Sequence, residues 1–585
     1  MGLRVCMVTP FAWSQPHPVN EHVAGAAEAL RKHGHDVVVL APSNRATDLA
    51  EGRRALRRLA RDGTPLEGVV ALGPALPVSR RSRLGIPVGV RANLALALGD
   101  RFDVLHAHEP ALPSLAYLAL RLSGGFAVAT FHSPDRLAYP PGKAQREKLL
   151  ARVDALTAAG DGVLEAAAGR FPGDYTVLPL GVDTDRFRPE RPRPRFVLEW
   201  QPEERLRARA AIRALRGLPV EWELVVVRTK PLSGRPYLPR ALRERVRVRT
   251  APDAEARAEA LRGAAGFIPA VRGSERLLLE AQAAGVPALD PPSSAEQPEL
   301  VGAAMARLVD DEGWRDELAT AARRRAEGQS FAALATALDG VYRSVARRRR
   351  PPAPVQRLDE RPRILCDLHV HTEHSYDCSV PVADLLDRAE ALGLAAIAIT
   401  DHNSFAGARE AVELARGRDL VVIPGEEVKT DAGEVIGLFL RDEIPAGMTM
   451  GATIAAIREQ GGLVYVPHPF DRRHTIPPAR TLHRHLGEID VFEVYNARLL
   501  LEAYNDEALR FARKYNLTMG AGSDAHVLQG VGTGLVRIPA FETPEEFMLA
   551  LRSAEIVRRP RSLVYLQGLK WVAGIRATRR ESVAR

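Results

Sequence analysis

The sequence predicts an α/β protein in which two Rossmann-like domains precede a barrel of alternating strands and helices. Three observations carry this. Short apolar runs alternate with amphipathic helical patterns along most of the chain. Metal-ligand residues gather at the ends of those runs from Cys366 to His526. Between the two regions lies Arg347 to Arg350 followed by Pro351-Pro352-Ala353-Pro354, a charged helix end and then a stretch that prolines keep extended. At 585 residues the chain has room for about three domains, each with an ample core.

The first region opens as strand, helix and strand: Val5 to Thr9, Val23 to His33, the turn Gly34-His35-Asp36, then Val37 to Ala41. The runs Phe102 to His108 and Ala127 to His132 continue it. The amino terminus reads as a strand broken by Pro10, with no signal-peptide apolar core, and no apolar run approaches the ~20 residues of a membrane span. Cys6, Cys366 and Cys378 are scattered and form no disulfide framework. These features predict a cytoplasmic protein.

In the last region five clusters follow in order: Asp367-Leu368-His369-Val370-His371 with Asp377 behind, Thr400-Asp401-His402, Pro424-Gly425-Glu426-Glu427, Pro467-His468-Pro469, and Gly522-Ser523-Asp524-Ala525-His526. In the first and last, ligand types recur at i and i+2, which a strand places on one face. The second, third and fourth follow the apolar runs Ala395 to Thr400, Leu420 to Ile423 and Leu463 to Val466, with helical patterns such as Pro381 to Leu392 and Thr453 to Gln460 between. In parallel barrels, ligands distant in sequence converge at the carboxyl ends of the strands. The spacing predicts one shared site.

With those motifs, residues 363 to about 550 resemble the polymerase-and-histidinol-phosphatase (PHP) phosphoesterases. The resemblance implies a distorted (β/α)7 barrel that holds two or three divalent metals. His369, His371, Glu427 and Asp524 would hold the first, Glu427 and His468 the second, and Asp377, His402 and His526 the third. Glu434 stands where many relatives have histidine, and is read as a further ligand. Imidazoles balanced by carboxylates, with no cysteine at a motif position, suit Mn²⁺, Fe²⁺ or Zn²⁺. Such a cluster binds phosphate oxygens and activates water, so phosphoester hydrolysis is the expected reaction. Asp401 is read as catalytic or as orienting a neighbouring ligand, and alternation points Glu426 away from the site. Arg472 and Arg498 are read as cations that meet the substrate phosphate.

Charge separates the regions. The chain carries a net +9, yet residues 361 to 540 hold 18 Lys and Arg against 25 Asp and Glu. The basic surplus therefore lies outside the barrel and does not mark it as a nucleic-acid grip. That charge, and the lack of an aromatic-basic strip, favour a small phosphorylated compound over a long nucleic acid. A weak attraction of the basic runs to an anionic membrane surface stays open.

Residues 1 to about 345 resemble the retaining GT-B glycosyltransferases, in particular the phosphatidylinositol-mannosyltransferase-like group. The resemblance rests on the Rossmann opening, Val177 to Phe187, Leu279 to Ala288, and His132 after Thr130-Phe131. It implies two Rossmann domains, 1–175 and 176–345, then a linker over 346–362, the barrel over 363–550 and a basic tail over 551–585. Their cleft would take a nucleotide-sugar or glycolipid, with His132 and Glu280 as its conserved-type residues. The departures are specific. Gln15-Pro16-His17-Pro18-Val19 replaces a glycine pair, Glu199 and roughly Glu204 stand where relatives hold the donor diphosphate with arginine and lysine, and Arg272 replaces a glutamate. The donor site thus reads as degenerate. Two alternatives stand beside that: a bifunctional enzyme whose donor contacts come from Arg228 or Lys230, and a glycosyltransferase-like binding module serving a barrel that acts on oligonucleotides.

Overall fold

The structure, a computed structural model, describes residues 2–77, 85–87, 89–100, 102–229, 234–270, 275–289, 298–351, 358, 360–471 and 477–559. The chain packs as two units, Met1–Ala346 and Arg347–Arg585.

The first unit holds two parallel sheets. Among the described residues the larger has seven strands in the spatial order Val69–Ala71, Asp36–Ala41, Arg4–Val8, Val104–His108, Phe126–Phe131, Ala155–Ala158 and Tyr175–Val177. Its direction of growth reverses between Arg4–Val8 and Val104–His108, which opens a crevice at their carboxyl ends. The central strands are buried on both faces and therefore nearly uninterrupted apolar runs, as parallel sheets require. The smaller sheet orders Val246–Thr250, Glu223–Arg228, Arg193–Glu199 and Ala264–Ile268. Helix Phe331–Ala346 returns to the first sheet, where the Tyr342 hydroxyl meets His106 Nδ1 at 2.7 Å. Its approach explains Gly25, since a Cβ there would lie 2.1 Å from the Phe331 ring.

In the second unit seven strands form the barrel: Arg363–Val370, Ala396–Ile399, Val421–Thr430, Gly433–Leu438, Leu463–Val466, Val491–Asn496 and Thr518–Gly522. Closure comes from the segment after the seventh strand, where Asp524 N donates to His369 O (2.8 Å) and His371 N donates to Ala525 O (3.2 Å). Gly534–Pro539 and Glu555–Arg558 extend the first strand antiparallel. Alternation divides two cores: Ala396 and Ala398 pack with Cys366, Leu368 and Tyr465, whereas Ile397 and Ile399 pack with Leu385 and Ala408.

The barrel departs from pure strand–helix alternation at one place. Gly433–Leu438 pairs antiparallel with both neighbours, joined to Val421–Thr430 by a tight turn. Glu434 therefore reaches the site from the start of a strand and Glu427 from within its partner strand, while His369, His371, His402, His468, Asp524 and His526 arrive at or just past strand ends. The stretch read as linker is also partly packed: Arg350 N donates to Tyr515 O, and its guanidinium binds the Leu486 and Ile489 carbonyls.

Candidate metal centre and the second cleft

Glu427 is the hub of the barrel site. Its Oε2 lies 3.2 Å from His369 Nε2, 3.4 Å from His371 Nε2 and 3.2 Å from His402 Nδ1, and its Oε1 lies 3.0 Å from His468 Nε2. Asp524 Oδ1 is 3.5 Å from His371 Nε2 and 3.4 Å from His526 Nδ1. Asp377 Oδ2 is 3.0 Å from His526 Nε2, and Glu434 Oε2 is 3.8 Å from His468 Nε2. The sequence-named ligand types thus converge, although they come from strands across the barrel.

Strained backbone delivers two of them: His468 has φ 26° and Asp524 φ 49°, in the left-handed region that side chains other than glycine seldom enter. A register shift between Asp367 and Val370 re-aims the first strand where His369 and His371 leave it.

The electrostatics divide the imidazoles: burial opposes charge on His369 and His468, yet the carboxylates around them, Glu427 first, hold His369 well above its ordinary value and raise His468 to about 9. Burial opposes charge on Glu427, yet His369 and His402 beside it hold its carboxyl well below the usual range. Burial and the neighbouring His526 hold His371 well below its ordinary value, which keeps it neutral, the form that binds metal. Ligands sharing one ion at ~2.0–2.2 Å lie about 3 Å apart, the spacing found around Glu427. Groups with ligand atoms within 4.8 Å of one another are His369, His371 and Glu427; His369, His468 and Asp524; His371, His402 and His526; and His402, Glu427 and Glu434. These sets overlap and do not by themselves divide the ligands ion by ion: His468 also lies near His369 and Asp524, and His402 near Glu427.

Asp401 does not face the cluster. Its carboxylate accepts from Thr372 N (2.6 Å), Thr372 Oγ1 (2.7 Å) and Ser375 Oγ (3.0 Å), and Ser375 Oγ lies 3.1 Å from His371 Nδ1. Of its two sequence readings the geometry fits the orienting one, with both oxygens turned to that loop. Glu426 turns away too, accepting from Ile444 N at 2.8 Å. Arg498 pairs with Asp524 (3.1 Å) and reaches Asp377 (3.8 Å). Arg472 lies outside the described residues.

Glu493 carries no motif and is central. It is 3.1 Å from His369 Nδ1 and accepts from Tyr465 Oη (2.8 Å), His468 N (2.6 Å) and Asn496 Nδ2 (3.0 Å). A carboxylate that accepts from a ligand's second nitrogen fixes ring and tautomer. Its one signal in sequence is a glutamate inside the otherwise apolar run Val491 to Tyr495.

The first unit's cleft is arranged differently. Glu280 is buried and its two oxygens take Arg257 Nε (2.6 Å) and Nη2 (2.8 Å), while Arg257 also pairs with Glu21 at 2.7 Å. Glu199, buried at the end of its strand, accepts from Ala270 N and from Gln201 Nε2, both at 3.3 Å. Glu204 stands at the position before helix Arg205–Ala214 with no side-chain cap hydrogen bond, whereas His17 caps helix Pro18–Lys32 by accepting from Val19 N at 3.2 Å. A helix terminus that glycines would leave open to phosphate is filled by the chain's own imidazole. Arg228 ends its strand buried, 3.4 Å from Thr250 Oγ1. Arg272 and Lys230 lie outside the described residues. His132 stands just past Phe126–Phe131, its Nε2 2.9 Å from His108 Nδ1. No helix among the described residues is long and apolar enough to cross a membrane.

Comparison with known proteins matches residues 19–186 to the Glycosyltransferase Family 4 model, 367–514 to the PHP domain and 502–556 to the PHP-associated model. An uncharacterized protein of Methanocaldococcus jannaschii is 35% identical over 211 residues, 34% of this chain and 84% of that one. A phosphatidyl-myo-inositol mannosyltransferase of Mycobacterium tuberculosis is 34% identical over 195 residues, 32% of this chain and 46% of that enzyme. A solved putative metal-dependent phosphoesterase from Bifidobacterium adolescentis is 18% identical, covering 34% of this chain and 97% of that one with a TM-score of 0.26. The motif clusters of the barrel and the βαβ opening of the first unit are where these family models fall, and the chain belongs to the PHP family through its second unit, joined to a region of glycosyltransferase family 4.

Proposed function

We propose that the second unit hydrolyses a phosphate ester with two or more divalent ions, and that the first unit does not transfer sugar. The observation that carries the first half is the convergence of four imidazoles on the two oxygens of Glu427. His369, His371, Glu427 and Asp524 would hold one ion, His468 and Glu434 would serve a second with Glu427, and Asp377, His402 and His526 would complete a third position. When bound, Mn²⁺, Fe²⁺ or Zn²⁺ supplies Lewis acidity and a lowered water pKa. The chain's own groups do the rest. Glu493 fixes His369, the Asp401–Ser375 pair fixes His371, and Arg498, with 22% of its side chain exposed, offers a cation to a phosphate oxygen. The barrel's negative charge disfavours a long polyanion, so a small phosphorylated substrate is the better fit. A screen of phosphomonoesters, 3′,5′-bisphosphates and short oligonucleotides with Mn²⁺, before and after chelation, tests this; chelator-insensitive hydrolysis, or none, counts against it.

Sugar transfer is the second reading, favoured by the likeness to a mannosyltransferase over 195 residues. Against it stand Glu199 where a diphosphate would need cations and Glu280 already ion-paired with Arg257. On our reading the cleft is a binding module for a nucleotide-sugar or glycolipid at most.

A further inference from the structure

We infer that His22, His108 and His132 form a zinc site in the first unit, distinct from the barrel's cluster. His22 comes from helix Pro18–Lys32, His108 ends strand Val104–His108, and His132 follows strand Phe126–Phe131. They meet at the carboxyl ends of neighbouring strands, beside the crevice where the sheet reverses its order. One nitrogen of each lies within 4.8 Å of the others.

Hydrogen bonding picks out which nitrogens are available. His22 Nδ1 lies 3.0 Å from the Leu180 carbonyl. A carbonyl only accepts, so Nδ1 carries the proton and Nε2 carries a lone pair. That Nε2 is buried without a hydrogen-bond partner. A backbone carbonyl on the far nitrogen is the arrangement that fixes a metal-binding histidine. The bland explanation, a simple His108–His132 hydrogen bond at 2.9 Å, leaves His22 Nε2 unaccounted for. Two imidazoles on one tetrahedral zinc sit roughly 3.3 Å apart, so that pair needs to open by only a few tenths of an ångström. His106 is excluded: its nitrogens are engaged by Tyr342 and Thr130 at 2.7 and 2.5 Å.

Arg276 lies close enough for its charge to act on both His22 and His132. Three imidazoles and no thiolate suit zinc and leave a fourth position, and with Arg276 close by that position calls for an anion such as hydroxide or a phosphate oxygen.

The test uses the untagged full chain carrying His369→Ala and His371→Ala, compared with the same chain also carrying His22→Gln and His108→Gln. Both are loaded with Zn²⁺, dialysed and analysed for metal, so whatever the barrel retains cancels in the difference. The triad chain should hold one more equivalent of zinc, and Co²⁺ in its place should give the intense visible bands of a four-coordinate ion. His22→Gln alone, which leaves the His108–His132 pair intact, should lose those bands, and His106→Gln should keep them. Equal zinc and equal spectra in the two chains, or the same loss in His106→Gln as in His22→Gln, would overturn the proposal. Because the barrel ligands are altered in both arms, failure here says nothing against the phosphoesterase reading.

Discussion

Glu427 and Glu280 are both buried glutamates on α/β scaffolds, and the groups around them differ in kind. Glu427 is ringed by His369, His371, His402 and His468, imidazoles whose nitrogens lie within 3.4 Å of its two oxygens. Glu280 faces Arg257, a cation that cannot be deprotonated and that Glu21 also holds. An imidazole cage around a carboxylate leaves its negative charge for an incoming metal. A guanidinium fork neutralises it within the fold. The same residue type in the same degree of burial thus sits in a candidate metal site in one unit and in an ion pair in the other.

The largest expected effect breaks the first side of that contrast. Replacing His369 and His371 with alanine should strip metal from the barrel and lower phosphoester turnover on the order of 10⁴-fold, the scale for removing members of a catalytic unit. Metal analysis beside the assay checks it. Unchanged metal content would show that the ligands are misassigned. The first unit should stay folded, since it has its own cores.

The second prediction concerns the donor diphosphate. Two absent cations forgo charge-assisted hydrogen bonds of ~1.5–3 kcal/mol each, and Glu199 adds repulsion. Calorimetry with UDP- and GDP-sugars should give no binding in the micromolar range. Micromolar affinity, or transfer that stops on changing His132 or Glu280, would restore the bifunctional reading.

Next in size, Arg257→Met should destabilise the first unit by about 3–5 kcal/mol, because Glu280 is left buried and unpaired. Arg257→Met with Glu280→Leu should recover much of the loss. Urea unfolding followed on the first unit measures both, and equal stability of the two variants would show that the ion pair is not what ties the cleft. The smallest effect sharpens the barrel's geometry: Glu493→Gln should weaken metal binding about 10–100-fold while leaving the ligand set complete. Competition with a chelator reads this directly, and an unchanged affinity would mean that Glu493 only fills space.

Much of this was legible in the chain itself. Short apolar runs with helical patterns between them determined the α/β class, and the order of the five histidine and carboxylate clusters pointed to a shared site, because strand ends of a barrel bring such distant residues together. What tertiary structure decided were the partners. No spacing rule links Glu493 to His369, 124 residues away, or Arg257 to Glu21, 236 residues away. Asp401 sits beside His402 in sequence, yet its carboxylate turns to Thr372 and Ser375, and Glu434 reaches the cluster because one strand runs backwards. Ligand types are written locally, whereas a side chain's orientation depends on which long-range groups satisfy it once water is excluded, and packing alone fixes those.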